Sequence, residues 1–234
     1  MKIILSIFLL ITTICSAQNI KFENPEFEKL VLERYPEIDL NKNNKIERNE
    51  ADILDKLNLM ESNLTNANDI KHFKNLSYLS LTINNIEEFK IQDLLKLEKL
   101  YIARNRLKKL EISNLPLLSE FGCGLNELSE VKIKNCPNIV SLNMMNNQIE
   151  KIDLRQLKKL KYLTVDNNKL KKLDLSQNPE LIQITIDNNN IQAIDITKNQ
   201  NLKMHILYID DNVEIIGTPE QLSLYKKAPI IIAQ

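Results

Sequence analysis

Side chains that could carry out catalysis are few in this sequence. The two histidines, His72 and His205, lie far apart, and neither belongs to a metal-ligand spacing. No motif of an activated nucleophile occurs. We therefore expect that the protein is not an enzyme.

Three aspartates recur at one position of a repeated pattern, namely Asp153, Asp174 and Asp195. A column of carboxylates could serve an enzyme or hold a cation. Alternatively, each Asp caps its own turn by accepting hydrogen bonds from nearby backbone N–H groups. The turn-forming chemistry of Asp favours the second interpretation.

Residues 39–50 read D-L-N-K-N-N-K-I-E-R-N-E and are rich in carboxylate and amide oxygens. The stretch resembles the calcium loop of an EF-hand, which places oxygen ligands at positions 1, 3, 5, 7, 9 and 12. Position 7 contributes its backbone carbonyl, and position 9 often acts through water. The resemblance implies a Ca²⁺ site formed by Asp39, Asn41, Asn43, Lys45, Glu47 and Glu50.

The loop departs from the EF-hand pattern at position 6, where Asn44 replaces glycine. That position requires a positive φ, which Asn tolerates better than most residues. Lys42 and Lys45 lie close to the few carboxylates, so the resemblance implies weak binding, with a Kd of about 10⁻⁴–10⁻³ M. The alternative is a simple helix–turn–helix cap in which Asp and Asn side chains satisfy a turn.

Helices are expected on both sides of this loop. Asn24 and Pro25 have the types that start a helix, and Pro36 limits its length. After the loop, Ala51, Leu54 and Leu57 would share one face of a second, short helix.

Beyond the loop, asparagine recurs at every twenty-first residue: Asn84, Asn105, Asn126, Asn147, Asn168 and Asn189. Around each one the apolar residues keep the same offsets, which gives the frame L-x-x-L-x-L-x-x-N-x-L-x-x-L-x-L. A fixed period of this length indicates a solenoid. The frame resembles the leucine-rich repeat, and most closely the bacterial type called IRREKO.

The resemblance implies an α/β repeat solenoid, in which short parallel strands stack into an arc or coil between helical caps. The alternation around Leu100 and Ile102 predicts one strand in each coil. Each repeat Asn would point inward and pair backbone groups that are otherwise buried without partners. We assign a helical cap to residues 18–57, with the EF-hand-like loop at 39–50, the solenoid to 54–212 and a C-terminal cap to 213–234.

Residues 1–17 have the pattern of a cleavable signal peptide. Lys2 precedes an apolar run over residues 3–14, and Cys15-Ser16-Ala17 places small residues before a cut at Gln18. The alternative is a lipoprotein signal in which Cys15 is lipidated. No other stretch is apolar enough to span a membrane, so we expect a secreted or surface-bound bacterial protein.

Two further cysteines, Cys123 and Cys136, occupy positions that carry apolar residues in other repeats. They read as small buried hydrophobes, although a disulfide is possible in an exported protein.

The charge pattern argues against nucleic-acid binding. The formal net charge is zero, and the 26% of residues that are charged mix both signs, whereas a nucleic-acid-binding protein usually has a basic patch. We expect a monomer.

Positions between the buried residues of each strand should face solvent. Tyr, Arg and Met, which are enriched at protein interfaces, occur among them. A partner-binding face is therefore predicted to include Tyr78, Lys99, Tyr101, Arg104, Glu120, Leu125, Met145, Tyr162, Asp166 and Asp187.

The first hypothesis is thus a module that binds a protein or a glycan through this face. The second is a structural or adhesive scaffold that calcium stabilises, and the third is a solenoid enzyme acting on polysaccharide. If none holds, the face is an ordinary soluble surface, on which single exposed apolar groups mean little.

Overall fold

The computed structural model describes residues 19–203 and 207–227. The predicted signal peptide, His205 and the last residues of the predicted C-terminal cap lie outside these ranges. In the described part, no helix combines the length and the apolar character needed to cross a membrane.

The N-terminal cap consists of two α-helices and the loop between them. Helix α1 spans Pro25–Arg34, and its N-cap Asn24 accepts a hydrogen bond from the Glu26 N–H at 3.1 Å. A 3₁₀ turn at Pro36–Ile38 follows. Helix α2 spans only Arg48–Ala51.

The second helix is therefore shorter than the prediction, which extended it to Leu57. Leu57 instead lies in strand β1 (Lys56–Asn58) and pairs with Leu79 of the next coil. Strand pairing satisfies the backbone of this segment and buries Leu57 completely, so tertiary contacts override the helical spacing of the apolar residues.

Eight parallel strands form the front sheet, one from each coil, as the alternating pattern predicts. They are β1, β2 (Tyr78–Ser80), β4 (Lys99–Tyr101), β6 (Glu120–Gly122), β8 (Ser141–Asn143), β9 (Tyr162–Thr164), β10 (Gln183–Thr185) and β12 (Leu207–Tyr208).

Some coils also contain a second strand, which differs from the prediction of one strand in each coil. Residues such as Leu110 and Ile112 are buried and alternate with polar neighbours, so this half of the repeat also has the period of a strand. The back strands are β3 (Phe89–Gln92), β5 (Lys109–Ser113) and β7 (Glu130–Lys134) in one sheet, and β11 (Ala193–Asp195) and β13 (Glu214–Ile216) in another.

The repeat asparagines connect successive coils by hydrogen bonds, as predicted. In one example, the Asn147 Nδ2 donates to the carbonyls of Cys123 (3.2 Å), Met144 (3.0 Å) and Met145 (3.2 Å). Its Oδ1 accepts the Leu128 N–H at 3.0 Å. Cys123 belongs to the preceding coil, so each Asn closes its own turn and joins that turn to its neighbour.

A second column of amides lies on the other side of the coils near the C-terminus. Asn178 Nδ2 donates to the carbonyl of Leu157 at 2.8 Å, and Asn199 Nδ2 donates to that of Asn178 at 2.9 Å. Gln221, in helix α3 (Pro219–Lys227), continues the column by donating to the Asn199 carbonyl at 3.2 Å. The last helix is thus attached through the same type of bond that links the coils.

Helix α3 begins with a capping box formed by Thr218 and Gln221. The Thr218 N–H donates to Gln221 Oε1 at 2.8 Å, and the Gln221 N–H donates to Thr218 Oγ1 at 3.2 Å.

The N-terminal cap is joined to the first coils by aromatic packing and by hydrogen bonds. The rings of Phe27 and Phe73 lie 6.2 Å apart, and both are fully buried. Arg34 donates to the carbonyls of Asn58 and Met60, each at 3.0 Å. The edge of the front sheet is therefore covered by helix α1.

We predict that Asn147→Ala lowers the free energy of unfolding by about 3–4 kcal/mol, because it leaves several buried backbone groups without partners, each costing about 1–3 kcal/mol. Urea unfolding measures this change. Asn190→Ala, at an exposed position next to another repeat Asn, is the control and should alter stability by less than about 0.5 kcal/mol. Equal urea midpoints for the two variants would contradict the role of the column.

Candidate partner-binding face and cap loop

The outer side of the front sheet, here called the strand face, carries all ten residues that the sequence predicts for partner binding. Most of them are partly or largely exposed, with Tyr162 at 43% and Leu125 at 38%. Asp166 is the exception, since only 9% of its surface is accessible. Asp166 was predicted to face solvent, and this prediction is wrong because the side chain is largely buried.

Four residues on the first strands form one connected group, the tyrosine cluster: Tyr78, Lys99, Tyr101 and Glu120. The Tyr101 hydroxyl donates to the Glu120 carboxylate, and the Lys99 Nζ lies 2.6 Å from Glu120 Oε1. The rings of Tyr78 and Tyr101 are 5.8 Å apart and tilted by 53°. Tyr101 is thus held in place on two sides.

The tyrosine cluster also shifts the acidity of its members. The hydrogen bond with Lys99, followed by that with Tyr101, lowers the pKa of Glu120. Burial, together with the hydrogen bond to Glu120, raises the pKa of Tyr101 well above its usual value. The Glu120 carboxylate therefore stays ionised and the Tyr101 hydroxyl stays protonated across the physiological range.

Glycine allows the Tyr101 ring to approach the neighbouring strand closely. A Cβ placed on Gly122 would be 3.2 Å from Tyr101 Cδ1, and one on Gly124 would be 3.1 Å from Met145 Cγ. Both distances are shorter than ordinary van der Waals contact. The two glycines thus provide a smooth region between Tyr101 and Met145 on which both side chains can rest.

One position beside each repeat Asn has a left-handed backbone. In three coils Asn fills it, at Asn146, Asn167 and Asn188, with φ of 53–54°. In the three preceding coils the same position holds Ile83, Arg104 and Leu125, with φ of 57°, 55° and 57°. A positive φ is unusual for a non-glycine residue and is an outlier for a β-branched one. It costs about 1–3 kcal/mol.

This strained position is not explained by packing. Ile83 and Leu125 are each 38% exposed, so their side chains gain little from burial, although Asn would relieve the strain. Ile83 is missing from the sequence-based set of site residues. The signal that could have identified it is an apolar residue at a position where later coils have Asn.

The far-side carboxylates act locally, as the turn-capping interpretation predicts. Asp153, Asp174 and Asp195 each accept the backbone N–H two residues later, at 3.0, 2.9 and 2.8 Å. Cys123 and Cys136 are buried and free, in agreement with their interpretation as small hydrophobes.

The cap loop has an extensive internal hydrogen-bond network. Asp39 accepts the N–H groups of Asn43 (3.1 Å) and Asn44 (3.0 Å), and Asn44 has a φ of 59°. Glu50 Oε1 accepts the Leu40 N–H and its Oε2 accepts the Glu47 N–H, both at 2.9 Å. The loop thus closes on itself between its first and last predicted ligands.

The remaining predicted ligands face each other across this loop. Asn41 and Asn43 direct their Nδ2 atoms at Glu47 Oε1, at 3.2 and 2.6 Å, and the Asn43 Oδ1 accepts the Lys45 N–H at 2.8 Å. The Lys45 side chain is exposed, so its predicted contribution remains limited to the carbonyl.

Two carboxylates of the loop are buried together. Glu47 and Glu50 are 2% and 1% exposed, and neither has a Lys or Arg partner among residues 19–203 and 207–227. The Oε2 atom of Glu47 has no hydrogen-bond partner. Burial, together with the neighbouring Glu47, raises the pKa of Glu50. The pair lacks a compensating positive charge.

A scan against protein-family models finds no match for this sequence, and a search of curated proteins finds none either. Among solved structures, the chain is similar to the leucine-rich repeat domain of LRIM1, with a TM-score of 0.53 and 15% identity over 73% of this chain and 68% of that one. With its stacked parallel strands, this likeness shows that the chain has the leucine-rich repeat fold.

Two bacterial proteins are also similar to this chain. For an internalin from Listeria monocytogenes, the TM-score is 0.39 and the identity 18%, over 87% of this chain and 80% of that one. For a leucine-rich repeat protein from Leptospira interrogans, the TM-score is 0.44 and the identity 21%, over 77% of this chain and 61% of that one.

We predict that Glu120→Gln lowers the pKa of Tyr101 toward its ordinary value, because the phenolate would no longer be opposed by a carboxylate. Burial should still keep the pKa somewhat raised. The ultraviolet absorbance of the phenolate measures this, with Tyr101→Phe identifying the contribution of that ring. Glu127→Gln, which removes an exposed carboxylate of the same coil, should leave the pKa unchanged. An unchanged pKa in Glu120→Gln as well would show that burial alone sets it.

Proposed function

We propose that this leucine-rich repeat solenoid is a protein-binding module that acts through its strand face. The observation that carries the proposal is the prearranged tyrosine cluster, in which Tyr101 contacts Glu120, Tyr78 and Gly122. A side chain that is already ordered loses less conformational entropy when it binds. Tyr and Arg are also the residue types that most often dominate interface energies.

The strained position next to the cluster supports the same location. Ile83, Arg104 and Leu125 form a short column at the edge of the strand face, where exposed apolar and basic side chains replace the unstrained Asn. Strain that packing does not explain is characteristic of ligand-binding positions. The binding site is therefore centred on the first three coils of the 21-residue repeat.

The setting of this module is part of the proposal. The signal-peptide pattern of residues 1–17 and the resemblance to bacterial repeats support a role outside a bacterial cell, secreted or on the cell surface. A protein partner is favoured over a glycan because the face joins apolar and charged groups over several adjacent coils, as protein interfaces do.

We predict that Tyr101→Ala combined with Arg104→Ala reduces partner capture at least tenfold, since truncation of such residues at an interface centre often costs about 2 kcal/mol or more each. Immobilised protein would be incubated with extracts of the cell envelope and its surroundings, and captured proteins quantified by mass spectrometry. The double variant must keep the circular dichroism spectrum and the melting temperature of the parent chain.

The control is Arg106→Ala combined with Lys108→Ala, which removes two exposed cations of the same coil away from the strand face. It should capture the same proteins as the parent chain. If the Tyr101/Arg104 variant also captures them undiminished, the binding site lies elsewhere.

We also propose that the cap loop binds Ca²⁺ and that the ion stabilises the first coils. The observation that favours this second role is the buried Glu47–Glu50 pair, with one carboxylate oxygen left without a partner. Burying uncompensated charge is costly, and a hard divalent cation with oxygen ligands would remove that cost. The residues fit such an ion, because Asn44 takes the left-handed conformation required at position 6.

The loop is mechanically connected to the solenoid. The Ile46 N–H donates to Glu28 of helix α1 at 2.8 Å, and Arg34 of the same helix donates to carbonyls of the first coil. An ion that orders the loop would therefore also hold helix α1 against the edge of the front sheet.

We predict that 5 mM CaCl₂ raises the melting temperature by about 3–6 °C, which is the shift expected for a site with a Kd of about 10⁻⁴–10⁻³ M. Glu50→Gln should abolish the increase, whereas Glu37→Gln, at an exposed site of the cap, should preserve it. Differential scanning calorimetry measures the shift. No increase in the parent chain, or the same increase in Glu50→Gln, would rule out the ion site.

A further inference from the structure

Three aspartates occupy one position in consecutive coils at the C-terminal end of the strand face. Strand register aligns Thr164 with Thr185 and Thr185 with Tyr208, so Asp166, Asp187 and Asp210, each two residues later, follow one another across the sheet. Neighbouring strands are about 4.8 Å apart. In the four preceding coils the same position carries uncharged residues, namely Thr82, Ala103, Gly124 and Met145.

Among the described residues, these carboxylates, here called the aspartate column, accept hydrogen bonds only from neutral donors. Asp166 Oδ2 accepts from Asn167 Nδ2, Asp187 Oδ2 from Asn188 Nδ2 at 3.1 Å, and Asp210 Oδ1 from the Asn188 N–H at 3.0 Å. Among the residues that the structure describes, no Lys, Arg or His lies within 4.0 Å of any of the three carboxylates.

One oxygen in the column is buried and unpaired. Asp166 is 9% exposed, and its Oδ1 has no hydrogen-bond partner. An acceptor that is buried without a donor carries a desolvation cost. The atom belongs to the first carboxylate in a row of like charges, so a positively charged donor that reached it would remove this cost.

The environment of the column also disfavours the ionisation of Asp187. Burial, followed by the charges of Asp166 and Asp210, raises the pKa of Asp187. Like charges on adjacent strands destabilise a sheet, so the fold would be more stable with uncharged residues here. Residues that lower stability at a surface are often kept for binding.

We propose that the aspartate column binds the Lys or Arg side chains of a basic segment in the protein partner. This inference rests on the proposed function, and it names the chemistry that one end of the strand face recognises. Ammonium and guanidinium groups only donate hydrogen bonds, and they would meet carboxylate oxygens that have no charged partner within residues 19–203 and 207–227.

An organic cation fits the column better than a metal ion. The side chains of Asp166, Asp187 and Asp210 do not converge closely enough to hold one ion together. Carboxylates spaced along a row instead suit several basic groups on one chain. Arg104 lies three coils away from Asp166, or about 14 Å along the sheet, so the partner surface should be basic over the column and not over Arg104.

The test uses fluorescein-labelled peptides with four arginines or, as the neutral isostere, four citrullines. Fluorescence anisotropy at low salt should show binding of the arginine peptide and at least tenfold weaker binding of the citrulline peptide. Asp166→Asn combined with Asp187→Asn should weaken binding of the arginine peptide at least tenfold. The melting temperature of this double variant should equal or exceed that of the parent chain, because repulsion between the aspartate carboxylates is removed.

The matched control is Asp153→Asn combined with Asp174→Asn. It removes two carboxylates from successive coils on the far side and changes the net charge equally, and it should bind the arginine peptide like the parent chain. Equal weakening by both double variants would show that only net charge matters and would overturn the proposal. Asp187→Asn alone is the second variant, and it should show part of the loss with the fold intact.

Other occupants give different results. Displacement of the peptide by millimolar Ca²⁺ in the parent chain and in Glu50→Gln alike would identify a divalent-cation site. A dimer in sedimentation that Asp166→Asn/Asp187→Asn dissolves would identify a second copy of this chain. Either outcome would overturn the proposal.

The proposed function can be judged separately. If Tyr101→Ala/Arg104→Ala loses partner capture but still binds the arginine peptide, both proposals stand. If the parent chain captures its partner through Tyr101 and Arg104 but does not bind the peptide, the aspartate column fails while the binding module remains.

Discussion

The fold depends on the need to pair the backbone groups that a 21-residue coil cannot pair by itself. A single coil has too few residues to bury its apolar side, and its turn leaves carbonyl and N–H groups facing the interior. Each repeat Asn satisfies groups in its own turn and in the preceding coil, as Asn147 does for Cys123 and Leu128. Apolar stacking and the amide column therefore reinforce each other, and neither is sufficient alone.

This constraint separates the structural positions from those free to vary. Inward positions accept only apolar residues or the repeat amides, whereas the strand face varies from coil to coil without disturbing the stack. The face changes from Tyr101 and Arg104 in the first coils, across Gly122 and Gly124, which Tyr101 and Met145 cover, to Asp166 and Asp187 at the other end. A repetitive core thus supports a surface whose chemistry is not repetitive.

The sequence is informative about the repeat because every coil repeats the same physical requirement. The positions of Leu100, Ile102 and Asn105 predict a buried strand followed by an inward amide, and each is found there. The ends of the chain have no such repetition to guide a prediction. The apolar spacing therefore predicted a longer helix α2 than the structure has. Gln221 could not be identified as a member of an amide column because a glutamine at that place has no equivalent in earlier coils.

The candidate site could be predicted only in part, for a related reason. Alternation in a strand indicates which side chains point outward, but not how they contact one another. The bond from Tyr101 to Glu120, the burial of Asp166 and the pairing of Glu47 with Glu50 all depend on distances between side chains. The strain at Ile83 requires the backbone angle, although the Asn residues in later coils already mark that position as unusual.

The attachment of the last helix through Gln221 has a consequence for how such a molecule can change in size. Its Nε2 donates to the Asn199 carbonyl, just as Asn199 Nδ2 donates to the Asn178 carbonyl one coil earlier. The contact therefore depends on a turn shape that these coils share, and not on one particular coil. Coils could then be added or removed upstream without redesigning the terminus. Duplication or loss of a coil would then change the length of the front sheet by one strand spacing, about 4.8 Å.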